Sequence, residues 1–194
     1  MTEIAGRVAF VTGGGSGIGQ GVAIALAAEG ASVAVADIHE ERARSVAAEI
    51  AAAGGSAVGV VCDVSDRRSI SEARSQVLDA YGPVSLLFAN AGVTSLQPLV
   101  EMSTDDVDWI MSVNLLGVLY CLEAFLPDLI GQGSGHVVAT SSMAGLITES
   151  LAQHGPYAAA KLGVLGLMLN LRLELSELGV GSTVLCPGGV TTRI

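Results

Sequence analysis

An alternation of two kinds of segment constrains this chain more than any other feature. Six short apolar runs, RVAFVT (7–12), SVAVAD (32–37), AVGVVCD (57–63), SLLFAN (85–90), HVVATS (136–141) and STVLCP (182–187), punctuate the sequence. Longer Ala- and Leu-rich stretches near 17–29, 39–53, 66–81, 104–131 and 157–178 lie between or beside them. Runs this short, bounded by Gly, Asp or Pro, suit strands covered on both faces. Ser65 or Asp66 can cap the third helix, and Ser103 or Thr104, with Asp106 nearby, the fourth. Gly30, Gly54, Gly82 and Gly179 stand where helices should stop. Repeated strand–helix–strand units with right-handed crossovers predict an α/β fold: a doubly wound parallel sheet flanked by helices on both faces, in three layers.

The 194 residues fit one domain over 1–194 with enough chain for a full core. A formal charge of −10 disfavours nucleic acid and anionic membrane as partners. The hydrophobic fraction is 51%, yet no uninterrupted apolar segment reads as a membrane span. MTEIAGRVAF enters a strand pattern at once and carries no signal-peptide features. Cys62, Cys121 and Cys186 are odd in number and widely spaced, which fits a reducing cytoplasm and neither a disulfide framework nor a metal site. The three histidines form no metal cluster either.

TGGGSGIG, Thr12 to Gly19, joins the first strand to the first helix. At such a junction Gly13 permits a sharp turn, and Gly17 lets a pyrophosphate approach the backbone. Gly19 lets the helix lie close to the sheet. The helix N-terminus, after Ser16 and including Ile18, offers unpaired N–H groups and a positive dipole end to phosphate. This is a Rossmann-type arrangement. Asp37 ends the second strand about 20 residues later, where its carboxylate can accept from a ribose diol. No Lys or Arg stands in the turn or directly after Asp37 to receive a 2′-phosphate, so NAD is expected rather than NADP. The other reading of Asp37 is a cap for the next helix.

HGPYAAAKLGVLGL (154–167) places Tyr157 and Lys161 four residues apart, hence on one helix face. A tyrosine ordinarily titrates near pH 10, too high for a base at neutral pH, and a neighbouring ammonium favours its phenolate. The alternative is a snorkelling lysine beside a core-edge tyrosine. Beyond Tyr157, leucines circle most of the helix, which calls for burial on more than one side. That pattern suggests a homodimer or homotetramer through the 104–131 and 157–178 helices, or else cover from the chain's own C-terminal region.

TGGGSGIG, CDV (62–64), NAG (90–92), Asn114 in SVNLLGV, TSS (140–142), YAAAK (157–161) and PGGVTT (187–192) together resemble the short-chain dehydrogenase/reductase family. They occur in that family's order and cover essentially the whole chain. The resemblance implies that Asp63 and Val64 hold the adenine, and that Asn90 and Gly92 shape the cofactor crevice. It implies Tyr157 and Lys161 as the catalytic pair, both also touching the cofactor, with Ser142 binding the reacting oxygen and Asn114 in a proton relay. Pro187, Gly188, Val190 and Thr192 would lie beside the nicotinamide. Ser141 is an alternative to Ser142, a turn role competes for Ser142, and a locally satisfied amide competes for Asn114.

Three departures stand out. Ala89 replaces the first Asn of the family's usual NNAG, ITESLAQHG makes a longer spacer before Tyr157, and the sequence stops at Ile194. Members usually continue for several tens of residues, so the C-terminal substrate-covering part is expected to lie outside this sequence. The resemblance implies hydride transfer between NAD(H) and a secondary alcohol or ketone, with Tyr157 as general acid and base. Val93, Thr94, Leu96, Met143, Leu146 and Ile147 suggest a largely apolar substrate. His154 reads as a solvated loop histidine and Glu149 as surface charge. The rival is a catalytically silent dinucleotide-binding regulatory or scaffold protein.

Overall fold

A computed structural model describes residues 3–147 and 152–190. Six strands, β1 (Val8–Thr12), β2 (Ser32–Asp37), β3 (Ser56–Val61), β4 (Leu86–Ala89), β5 (Gly135–Thr140) and β6 (Val180–Leu185), form one sheet in the order β3-β2-β1-β4-β5-β6. Every pairing is parallel. The chain winds outward from β1 to β3, then returns to lay β4 on the other side of β1. Strand order reverses between β1 and β4, and the crevice at their carboxyl ends is where such sheets bind ligands.

Strand alternation divides the core into two layers. Ala9, Val11, Val33 and Val35 face one side, under α1 (Gly17–Ala28) and α2 (Glu40–Ala52), through Ala23, Leu26, Ala43, Val46 and Ile50. Phe10, Ala34 and Ala36 face the other, under α3 (Arg67–Tyr81), α5 (Gly117–Gly131) and α7 (Gly155–Leu175). Phe10 and Phe125 rings meet there with centroids 4.5 Å apart. This is the expected three-layer α/β architecture. Asp66 caps α3 through the Arg68 amide, and Ser103 and Asp106 form a reciprocal capping box on α4 (Thr104–Met111). The four expected helix stops all have positive φ, from 72° at Gly179 to 90° at Gly82.

Three expectations need correction. The single helix over 104–131 is three pieces: α4, a π-helical turn at Ser112–Leu116, and α5. An 18-residue window within 104–131 also reaches the length and apolarity of a membrane span, with mean hydropathy 1.7, contrary to the sequence reading. The segment nevertheless packs on the sheet through Val118, Cys121, Leu122, Phe125 and Leu129. The two acidic groups of α5 are paired as well: Arg67 donates to Glu123 at 2.9 Å, and Arg74 to Asp128 at 2.9 Å, tying α5 to α3. Finally, a short helix, α6 (Met143–Leu146), follows β5, and α7 begins two residues before Tyr157. Pro156 in its first turn supplies no N–H where none is needed.

Candidate active site

The glycine turn is built by close approach. Gly13 has φ 61° and Gly17 φ 54°, values costly for any residue with a side chain. A methyl group on Gly19 would collide with the Gly13 carbonyl oxygen and lie 2.7 Å from Asn90 Nδ2. Ser16 precedes α1 in an extended conformation (φ −161°, ψ 166°), and its hydroxyl does not cap the helix. No acidic side chain lies in the first turn. The N–H groups of Gly17, half-buried Ile18 and Gly19 thus head an unblocked helix terminus, a cradle suited to an anion. This fits a dinucleotide pyrophosphate.

Asp37 is buried, and both carboxylate oxygens already accept backbone bonds, from Gly15 N and from His39 N, each at 3.0 Å. The helix-cap reading is therefore partly met: His39 is the N-cap residue of α2, and Asp37 holds it. Each oxygen keeps a second lone pair for a ribose hydroxyl. A methyl group on Gly15 would lie 2.7 Å from Asp37 Oδ2 and 2.6 Å from Arg42 Cβ. The absence of a cation near Asp37 is thus corrected, because the first turn of α2 carries Arg42 back over the glycine turn. Gly15, Gln20, Glu41, Arg42, Ser45 and Val46 line a cleft of about 260 Å³ there. Just past β3, Asp63 Oδ1 accepts from both Ser65 N and Ser65 Oγ, leaving Oδ2 open. Val64 is core: its side chain packs against Gly117, where a methyl group would lie 2.8 Å from Val64 Cγ2. Only its backbone is available to a ligand.

A continuous set of hydrogen bonds crosses the carboxyl ends of the strands. Thr12 Oγ1 accepts from Asn90 N (2.9 Å) and Ala91 N (3.0 Å), and Asn90 Nδ2 donates to Thr12 O at 3.2 Å. Thr140 Oγ1 donates to Asn90 Oδ1 at 3.0 Å. Lys161 Nζ donates to Thr140 O at 2.8 Å, while Ser141 Oγ donates to Lys161 O at 2.7 Å. The side chain of Asn90 is thereby spent on joining β1 to β5, and half-buried Gly92 follows two residues on. The importance of Thr12 and Thr140 escaped the sequence reading, since each appeared only as the edge of a motif.

Tyr157 and Lys161 share a face of α7, with the ammonium 5.6 Å from the phenol ring centroid. Lys161 is 2% exposed, and burial pushes its ammonium down to about 8, still protonated at neutral pH. Ser141 is buried and its hydroxyl is committed to Lys161 O, so it is no substitute for Ser142. Ser142 is half-buried; its Oγ accepts from Ala144 N at 3.1 Å and keeps its own proton to donate. Gly145, in the helix that Ser142 caps, meets the backbone of α7 at Lys161, where a methyl group would lie 2.7 Å from the carbonyl carbon. Ser142 and Lys161 are thus brought to one corner.

Asn114 lies in the π-helical turn, fully buried. Its Nδ2 donates to Val93 O and to Ile110 O, both at 2.8 Å, and its Oδ1 accepts from Val93 N at 3.2 Å. Both amide protons are spent on backbone, so the side chain has at most one lone pair left for a water. The locally satisfied amide read as the alternative for Asn114 is thus present, and its visible work is to fix the chain after β4. Pro187 accepts from Met143 N at 2.9 Å, and exposed Gly188 and Val190 continue past the corner. Thr192 and Glu149 lie outside the described residues. His154 is not a solvated loop histidine: it is half-buried and its ring meets Tyr157 edge-on at 5.5 Å. Among the described residues no group of His, Cys, Asp or Glu could hold a metal. Cys62 and Cys121 are buried, and burial pushes the Cys62 thiol up to about 12.

A model of the short chain dehydrogenase family matches residues 7–194. The chain belongs to this family. It is 38% identical to a C alpha-dehydrogenase of Sphingobium sp. over all of its own length and 64% of that relative's. It is 35% identical to a D-threitol dehydrogenase of Mycolicibacterium smegmatis, over 97% of this chain and 72% of the relative. The chain therefore spans roughly two thirds of the length of such relatives. Among solved structures, a short-chain dehydrogenase/reductase from Burkholderia phymatum in complex with NAD is 37% identical, with TM-score 0.95 over 100% of this chain and 69% of that one.

Burial of Lys161 has a measurable consequence. Between pH 8 and 10.5 the folded, cofactor-free protein holds fewer protons at this residue than the unfolded chain does, so its contribution to stability rises with pH. Denaturant unfolding at both ends of that window should show wild type gaining up to about 3 kcal/mol relative to Lys161→Met. A difference between the two that is independent of pH contradicts the assignment.

Proposed function

We propose that this protein transfers hydride between NAD and a secondary alcohol or its ketone, with Tyr157 handling the proton. The observation that carries the proposal is the buried ammonium of Lys161, held by Thr140 O beside the Tyr157 ring. Desolvating a cation without a buried partner charge is costly, and a site that uses that charge gives the cost a purpose. The likeness to relatives named as dehydrogenases supports the same reading.

NAD supplies a nicotinamide ring that accepts or returns hydride when bound. The protein's own residues do the rest. Gly17, Ile18 and Gly19 amides at the head of α1 hold the pyrophosphate, Asp37 accepts from the adenosine ribose, and Asp63 Oδ2 accepts from the adenine amino group. Ser142 donates its free proton to the reacting oxygen and fixes its direction. Tyr157 Oη takes the hydroxyl proton in oxidation and returns it in reduction, beside a lysine charge that stabilises the phenolate as it forms. Lys161 and Tyr157 would also hold the nicotinamide ribose, with Pro187, Gly188 and Val190 beside the nicotinamide. NAD is preferred over NADP because Asp37 meets the 2′-position first; Glu41 in the same cleft offsets the charge of Arg42.

We propose further that the exposed faces of 104–131 and 157–178 join copies of the chain into a homodimer or homotetramer. Leu169 is 53% exposed and Leu173 74% exposed on α7, and Trp109 is 46% exposed on α4. Apolar surface of this extent on helix faces favours association.

Titrating NAD and NADP into the full chain, then following NADH formation with an alcohol panel, tests the main proposal. NAD should bind tighter, and Tyr157→Phe should keep NAD affinity within a few fold while lowering kcat by about 10³. Cofactor binding with no turnover by wild type on any alcohol or ketone contradicts it. For the assembly, light scattering should give a multiple of the monomer mass that Leu169→Glu reduces; a wild-type monomer at working concentration contradicts it.

A further inference from the structure

Tyr157 stands in the first turn of α7, where the helix itself offers a side chain few neighbours. Helical side chains lean back over the turn before them, so a tyrosine at 157 rests on what stands three and four residues earlier, His154 and Gln153. His154 takes that place: its ring meets the Tyr157 ring edge-on, with centroids 5.5 Å apart and planes at 61°. One turn later on the same face, the Lys161 ammonium lies 5.6 Å from the phenol centroid. Ala158, Ala159 and Ala160, between the two, carry only methyl groups. Among the described residues no hydrogen bond holds the Tyr157 hydroxyl, so its direction rests on what the ring packs against.

Holding the imidazole there costs the fold in three ways. His154 is the N-cap residue of α7, a position where Ser, Thr, Asp or Asn would bond a free helix amide, and its side chain makes no such bond. Its buried Nδ1 has no hydrogen-bond partner, and native folds keep few such atoms without a reason. Gln153, directly before it, has φ 65°, the one positive φ outside glycine among the described residues. Backbone strain of this kind persists where the surrounding structure over-determines it. All three costs fall on the two residues that lead into the helix bearing Tyr157. What they secure together is an imidazole ring against the phenol.

We infer that His154 is a positioning residue for the proton transfer: its ring braces the Tyr157 ring so that the hydroxyl keeps one direction. The inference rests on the dehydrogenase reading of the Tyr157 site and adds to it a role that neither Lys161 nor Ser142 fills. No proton passes through His154. Displacing a reacting group by roughly 1 Å costs about 10²-fold in rate. A methyl group at position 154 would let the phenol swing while leaving Gly17, Gly19 and Asp37, the proposed cofactor contacts, where they are. A phenyl ring there would keep the brace and remove the orphaned nitrogen.

The test compares His154→Ala and His154→Phe with wild type in the full chain. With NAD and cyclohexanol, His154→Ala should lower kcat by about ten- to a hundredfold, with NAD affinity and the KM for cyclohexanol within a few fold of wild type. His154→Phe should restore most of that kcat and, having no unpaired nitrogen, unfold at no lower temperature than wild type. Fluorine NMR of the NAD-loaded protein labelled with 3-fluorotyrosine reads the brace without turnover, since Tyr157→Phe identifies the Tyr157 signal among those of the three tyrosines. A braced ring flips slowly and gives a split or broadened signal, expected in wild type and His154→Phe. In His154→Ala it should collapse to one sharp line. That spectral pattern, with no turnover of any alcohol or ketone by wild type, supports the brace and refutes the dehydrogenase reading. A wild-type kcat or a wild-type line shape in His154→Ala overturns the inference, as does a loss of kcat that His154→Phe shares.

Discussion

The hydrogen bonds running from Thr12 through Asn90 and Thr140 to Lys161 are the constraint on which the site depends. Parallel strands end in free backbone groups, and a ligand crevice needs some of those groups aimed outward while their neighbours stay fixed. Here Asn90, just past β4, uses its amide to tie the ends of β1 and β5 together. The carbonyl of Thr140, held by that link, receives the buried ammonium of Lys161. The proposed phosphate cradle after β1 and the proposed proton-handling corner after β5 are therefore parts of one bonded unit.

Glycines complete that unit by subtraction. Gly19 lets α1 approach the Gly13 carbonyl, Gly15 makes room for Asp37 and Arg42, and Gly145 lets the helix capped by Ser142 rest on the α7 backbone. In each case a methyl group would meet backbone or a packed side chain rather than open space. Each such glycine gives up more conformational freedom on folding than another residue would; Gly59, Gly135 and Gly179 make equally close approaches elsewhere in the fold. Gly21, by contrast, faces open space on the outside of α1.

The fold was legible because its signals are local. Short β-branched runs, capping residues and stop glycines each report on a few neighbours, and their order suffices to define a doubly wound sheet. The glycine turn was legible for the same reason. What depended on long-range placement was not. Nothing in SVNLL marks a π-helical turn, so the helix over 104–131 read as continuous, and the full use of the Asn114 amide by Val93 and Ile110 could not be foreseen. Arg42 stands five residues past Asp37, and only the direction in which α2 leaves the sheet brings it to Gly15. Ser141 and Ser142 are equivalent in sequence; the pleat at the end of β5 turns the first to Lys161 O and the second to the cap of α6.

If the bonded unit couples the two halves of the site, cutting it at a point that touches neither ligand should weaken both. Thr140→Val removes the hydroxyl that holds Asn90 and leaves the backbone carbonyl used by Lys161. Pre-steady-state NADH formation across a range of NAD concentrations measures cofactor affinity and hydride-transfer rate in one experiment. The account predicts that both fall together in Thr140→Val, each by about tenfold, the scale of one buried hydrogen bond and its orphaned partner. Wild-type values for both in that variant would contradict it.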